Sequence, residues 1–99
     1  MAVLSAEVVQ ERLKSLPGWT LAGGMVVREV TFQDFVTAIA FVNRLAAEAE
    51  AAGHHPDIDI RYNRVRLGLV SHDAGGLTQK DFGLATVIEG LISSKVAGA

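Results

Sequence analysis

The only three histidines of the chain fall inside one 19-residue window: His54 and His55 stand side by side before Pro56, and His72 follows. Imidazole is the side chain whose unperturbed pKa, about 6.5, lets it give and take a proton near neutral pH. Confining that capacity to one window points to a proton-transfer site, with a metal site as the alternative. Zinc needs three or four converging ligands, often histidines four apart on one helix face. Adjacent residues of an extended chain diverge instead, so His54 and His55 are poorly disposed to chelate one ion. Acids stand close by. Glu50, four residues before His54, can hydrogen-bond an imidazole and set its tautomer, or can stand as a solvated helix residue. Asp73, directly after His72, suits the same role or the making of a turn. Capping of a helix accounts fully for Asp81.

Composition bounds what such a site can belong to. With 99 residues, 49% of them apolar, the chain is expected to form a single domain over residues 1–99, with a core thin enough that self-association would help stabilise it. The absence of cysteine excludes disulfides, thiolate metal sites and thiol nucleophiles, and fits a reducing compartment. A net charge of −2 argues against a nucleic-acid partner, which would call for clustered uncompensated Lys and Arg. The residues from Met1 to Glu7 lack the basic flank and apolar run of a signal peptide. No stretch approaches the about 20 apolar residues needed to span a bilayer. A cytoplasmic protein with no membrane partner is therefore expected.

Seven elements must position the histidines. Ser5 caps a first helix that runs to about Leu16, with Val9, Leu13 and Leu16 on one stripe and Pro17-Gly18 as its stop. Trp19–Leu21 and Met25–Val30 read as strands joined by Gly23-Gly24, which supplies the positive φ angles of a tight hairpin turn. Thr31 and Asp34 form a cap pair that opens the longest helix, Phe32 to Ala52. Its apolar stripe is Phe35, Ala38, Ile39, Val42, Leu45, Ala46 and Ala49, and Gly53 offers a left-handed stop. A second hairpin follows, with Ile58 and Ile60 opposite Val65, Leu67 and Leu69 across a Tyr62-Asn63 turn. Arg61, Arg64 and Arg66 face Asp57 and Asp59 there as an ion-paired strand surface. Thr78 and Asp81 then cap a last helix to about Ser94 that turns Phe82, Ala85, Ile88 and Ile92 inward. The expected fold is α+β in the order αββαββα, a four-stranded antiparallel sheet with its helices packed on one face.

Strand parity refines the placement of the histidines. Residues directly opposed in an antiparallel pair project to the same side of the sheet. If the isoleucines of one strand share the core face with Val65, Leu67 and Leu69, each opposed couple joins an even position to an odd one. His55 and His72 then share the polar face, and His54 points to the other if the extended conformation reaches back that far. Pro56 favours that extension by pushing His55 away from helical angles.

The run Glu50-Ala51-Ala52-Gly53-His54-His55-Pro56, then Tyr62-Asn63, Ser71-His72-Asp73 and Asp81, resembles the signature of the pterin-4a-carbinolamine dehydratases, with matching spacing over 32 residues. The likeness continues more loosely through Pro17-Gly18-Trp19, the segment from Phe32 to Phe35, and Leu84 to Glu89. It implies the same αββαββα fold and a hydro-lyase reaction. Water would be removed from 4a-hydroxytetrahydropterin to give quinonoid dihydropterin, without metal or cofactor, in the recycling of tetrahydropterin after aromatic amino-acid hydroxylation. By position, His54, His55 and His72 would be the catalytic, pterin-contacting histidines. Gly53, Val70, Ser71 and Asp73 would line the pocket, and Glu50 and Asp81 would support it. The expected partners are a pterin substrate, a functional link to an aromatic amino-acid hydroxylase, and further copies of the chain in a dimer or tetramer. Three positions depart from common members: Asp73 stands where many have glutamate, Val70 where a small hydroxyl residue is common, and Ile58 where animal members carry an aromatic. The alternative on the same scaffold is a non-catalytic interaction role. Animal members also act as a dimerisation cofactor for a homeodomain transcription factor, and some inactive bacterial and plant relatives act as assembly factors. Those inactive members usually lose part of the histidine set, which this chain keeps whole.

Overall fold

Positive φ angles and capping side chains set the turns of the chain. In the computed structural model, which describes residues 2–94, the order is α1 (Ala6–Leu13), β1 (Trp19–Ala22), β2 (Met25–Thr31), α2 (Phe35–Ala52), β3 (Asp57–Arg61), β4 (Arg64–Leu69) and α3 (Gln79–Ser93). This is the expected αββαββα arrangement. Gly23 and Gly24, at φ 60° and 81°, close the first hairpin. Tyr62, at φ 55°, opens the two-residue turn of the second, a conformation that costs a side-chain-bearing residue some strain.

The strands form one antiparallel sheet in the order β1-β2-β4-β3, so the hairpins join through β2 and β4 and leave β1 and β3 as edges. The register pairs Ile58 with Leu67 and Ile60 with Val65, the even-to-odd pairing expected. Val26 and Val30 of β2 fall opposite Leu69 and Val65 and share their face. Against that face pack Ala38, Phe41, Leu45 and Ala49 of α2 with Phe82, Leu84, Ala85 and Ile88 of α3, forming one core. Arg28 lies on the same face, opposite both Trp19 and Leu67. Its Nε donates to Glu89 of α3 at 2.6 Å, and Trp19 Nε1 donates to the same carboxylate oxygen at 2.8 Å, which ties the first hairpin to the helix layer. On the sheet's other face, Arg61 pairs with Asp59 at 3.0 Å and Arg66 with Glu29 at 3.8 Å.

Three local expectations are corrected. The first helix ends at Leu13 rather than near Leu16. Pro17 disfavours a helical Leu16, and the N–H groups of Lys14, Ser15 and Leu16 donate three residues back in tight turns. Thr31 is not a cap. It ends β2 opposite Arg64, and Phe32 N–H continues the pairing to Asn63 O at 2.8 Å, so these backbone groups are taken by the sheet and α2 begins at Phe35. The buried line of α2 is also rotated: Phe41 is 1% exposed and stacks at 5.0 Å on Phe32, whereas Phe35 is 48% exposed. α2 is apolar around much of its circumference, so periodicity alone does not choose the line that the sheet covers.

Asp34 is itself the cap of α2. The hydroxyl and backbone N–H of Thr37, the latter at 2.8 Å, hold its carboxyl below the ordinary aspartate range. A carboxyl acidified by folding stabilises the folded state above its unfolded pKa and loses that contribution as pH falls through the folded value. Urea midpoints of the wild type and Asp34→Asn are therefore expected to differ at pH 7 and to converge on acidification below the ordinary carboxylate range. A gap unaffected by pH would assign the difference to something other than the charge.

Candidate active site

The end of α2 sets the first two histidines. A helix leaves its last carbonyls without intrahelical partners, and Gly53 at φ 63° lets the chain wrap back to meet them. Gly53 N–H donates to Glu50 O and His54 N–H to Ala49 O, each at 3.1 Å, which holds the backbone of His54 against the helix it has just left. From there the two side chains find unlike surroundings. His54 Nε2 lies 2.6 Å from Asp81 Oδ1, with the imidazole 12% exposed and the carboxylate fully buried. His55 Nε2 lies 2.9 Å from Glu50 Oε1, but these side chains are 65% and 81% exposed. Water screens the second pair, and exposed pairs of this kind contribute at most about 1 kcal/mol. An ionised carboxylate only accepts, so a neutral imidazole that bonds to it through Nε2 donates from that nitrogen and carries its lone pair on Nδ1.

The third histidine is set by the end of β4. Past Leu69 the chain forms an isolated bridge between Ser71 and Gly76, and the N–H groups of Ala74 and Gly75 converge on Ser71 O at 3.1 and 3.0 Å. Gly75 at φ 80° completes this closed turn, which carries His72 and Asp73 on its exposed rim. Leu4 N–H reaches Leu77 O at 2.8 Å and straps the segment before α1 across the end of the turn.

These segments surround one cavity of about 350 Å³, lined by Gly53, His54, His55, Val70, Ser71, His72, Asp73, Ala74 and Lys80. All three histidines and all four expected lining residues meet there, in a volume suited to a small heterocyclic ligand. Glu50 and Asp81 stand behind the wall, one on each of the adjacent histidines. Among the described residues, no group of three or more His, Asp or Glu side chains is placed to hold a metal ion, and no helix is long and apolar enough to cross a membrane.

Two readings of the sequence change. Capping does not account fully for Asp81. Its Oδ2 accepts Thr78 N–H at 2.9 Å in a reciprocal capping box, but that needs one oxygen, and Oδ1 remains for His54. Strand parity also fails to separate His54 from the other two. β3 begins only at Asp57, so alternation does not extend back to the histidines, and His54 lines the same cavity while bonding to α3. Two lining residues were missed, Ala74 and Lys80. The signal for Lys80 was present, since a Thr78-to-Asp81 capping box puts it on the first turn of α3 beside Asp81. Lys80 forms no ion pair among the described residues.

Residues 2–91 match the sequence model of a family described as pterin 4 alpha carbinolamine dehydratase. A protein of Acidobacterium capsulatum, provisionally named a pterin-4-alpha-carbinolamine dehydratase, is 62% identical over 92 residues, 93% of this chain and 100% of that protein. One of Chloroflexus aurantiacus with the same provisional name is 56% identical over 89 residues, 90% of this chain and 96% of its own length. Among solved structures, a transcriptional coactivator/pterin dehydratase from Brucella melitensis superposes with a TM-score of 0.86 at 32% identity, over 90% of this chain and 97% of that one. A pterin dehydratase-like protein identified as a RuBisCO assembly factor in the alpha-carboxysome shares the fold, with a TM-score of 0.60 at 23% identity over 74% of this chain and 84% of its own.

Proposed function

The chain belongs to the pterin-4a-carbinolamine dehydratase family, and from that premise we propose that it dehydrates 4a-hydroxytetrahydropterin by acid-base catalysis at His54, His55 and His72. In this reaction the C4a–O bond breaks, a proton is delivered to the leaving oxygen, and another is taken from a ring nitrogen. Water and quinonoid dihydropterin result, with no net transfer of electrons. The observation that carries the reading is the convergence of three imidazoles on one cavity, one of them held by a buried carboxylate. An imidazole donating from Nε2 to a buried aspartate presents Nδ1 as a base, and the same aspartate stabilises the imidazolium formed when the proton arrives. His54 suits the base. His55 and His72 are exposed, exchange protons readily with solvent, and suit the acid that assists departure of the hydroxyl. Gly53, Val70, Ser71 and Asp73 would form the wall against the pterin, with Glu50 and Asp81 supporting the imidazoles.

On this reading the substrate would arise when an aromatic amino-acid hydroxylase oxidises tetrahydropterin, and the protein would act in cytoplasmic tetrahydropterin recycling. Phe35, Val36, Ile58 and Val87, 48%, 75%, 40% and 40% exposed, supply apolar surface for self-association into a dimer or tetramer. A purified-protein dehydration assay tests the reading. His55→Ala and His72→Ala are each expected to slow turnover by about 10²-fold, the lower range for loss of a proton-transfer group, with melting curves close to wild type. Wild-type rates in both variants would remove the acid-base mechanism. An inactive wild type that binds a protein partner would instead select the interaction role, and stoichiometric zinc or iron in the purified protein would replace the metal-free chemistry.

A further inference from the structure

The hydroxyls of Thr78 and Ser71 have no part in the reaction as described, yet the two residues are 0% and 5% exposed and their hydroxyls bond to one another. Ser71 Oγ donates to Asp81 Oδ2 at 2.9 Å. A serine has one hydroxyl proton, so the 2.7 Å bond between the two hydroxyls is donated by Thr78. Thr78 Oγ1 in turn accepts Lys80 N–H at 3.2 Å. Every direction in this chain of bonds is therefore settled, from Lys80 N–H to Thr78, from Thr78 to Ser71, and from Ser71 to Asp81. Thr78 N–H donates to the same Oδ2 at 2.9 Å, which gives that oxygen two donors from different elements, the end of β4 and the cap of α3. The capping bond alone would leave the carboxylate plane free to swing about its last torsion. The second donor removes that freedom and leaves Oδ1 aimed at His54 Nε2, 2.6 Å away.

We propose that Ser71 and Thr78 are positioning residues whose hydroxyl relay orients Asp81 and so holds His54 in the Nε2–H tautomer, with Nδ1 free as the base. The Ser71 hydroxyl is then committed to Asp81 and is not available to bind a ligand, so Ser71 meets the cavity only through its other atoms. The catalytic consequence rests on the dehydratase reading, whereas the tautomer does not.

The test is long-range ¹H–¹⁵N correlation of the His54 imidazole in ligand-free protein, paired with steady-state kinetics. The wild type is expected to show a predominantly Nε2–H imidazole. Ser71→Ala is expected to show a mixture of tautomers and a kcat lower by about 10-fold, the lower range for loss of an outer partner of a functional imidazole, with KM within twofold of wild type. Ser71→Thr, which keeps a hydroxyl, is expected to restore both. Should Ser71→Ala fail to fold, Ser71→Cys, which replaces the hydroxyl with a far weaker donor to Asp81, is read in the same way. A His54 that stays fully Nε2–H in the hydroxyl-deleted variant overturns the proposal. Loss of the tautomer in a protein whose wild type does not dehydrate pterins supports the relay and removes the dehydratase reading instead.

Discussion

His54→Ala is expected to lower kcat for pterin dehydration by about 10²- to 10⁴-fold, the span that one positioned proton-transfer group contributes. It is also expected to cost more than either exposed histidine. His54 is the imidazole whose orientation is held from two sides, by the 3.1 Å backbone bond to Ala49 and by the 2.6 Å contact with Asp81. A catalytic base gains from being held in place, because the proton it takes must be within reach when the bond breaks. His55, whose carboxylate partner is 81% exposed, samples more orientations. The fold should survive the change, since His54 borders the cavity and water entering from there can reach Asp81 Oδ1 in place of the lost ring. Kinetics together with a thermal melt check this. A kcat within a few-fold of wild type in a folded variant would move the base to another residue.

Asp81→Ala is expected to be the most destabilising change at the site. The fully buried carboxylate accepts from Thr78 N–H and Ser71 O–H and partners His54, so deleting it leaves three polar groups without their partner. At about 1 kcal/mol or more for each, the loss is about 3 kcal/mol, enough to lower the melting temperature of a domain of this size by more than about 10 °C. Asp81→Asn separates stability from chemistry. Its amide oxygen can still receive the cap and the serine, but the amide nitrogen then faces His54 Nε2, donor against donor. Either that bond is lost or the imidazole adopts the opposite tautomer, and kcat is expected to fall by about 10²-fold or more while most of the stability returns. An asparagine variant with wild-type turnover would show that the Asp81–His54 contact is structural only.

Much of this was legible without coordinates because it is local. The turn at Gly23-Gly24, the left-handed stop at Gly53, the caps at Ser5 and Thr78 and the pairing of Ile58 with Leu67 each follow from residues a few positions apart or from a two-residue alternation. Local signals misled where a distant partner competed for the same backbone or side chain. Thr31 looks like a cap until β4 claims it, and α2 looks centred on Ile39 and Val42 until the sheet selects Phe41.

The same division applies to the site. By itself, the sequence determined that three imidazoles and three candidate acids, Glu50, Asp73 and Asp81, lie within a short reach of chain, and that the end of a helix and the end of a strand would present them. Only the tertiary structure decided which acid serves which histidine. His54 and Asp81 are 27 positions apart, and Ser71 and Asp81 are 10 apart, so no periodicity relates them. Their meeting depends on α3 packing beside the end of α2 and the end of β4. There the low-polarity interior makes an unpartnered carboxylate costly, and the arrangement that partners both of its oxygens, one with the helix cap and one with the imidazole, is the one adopted.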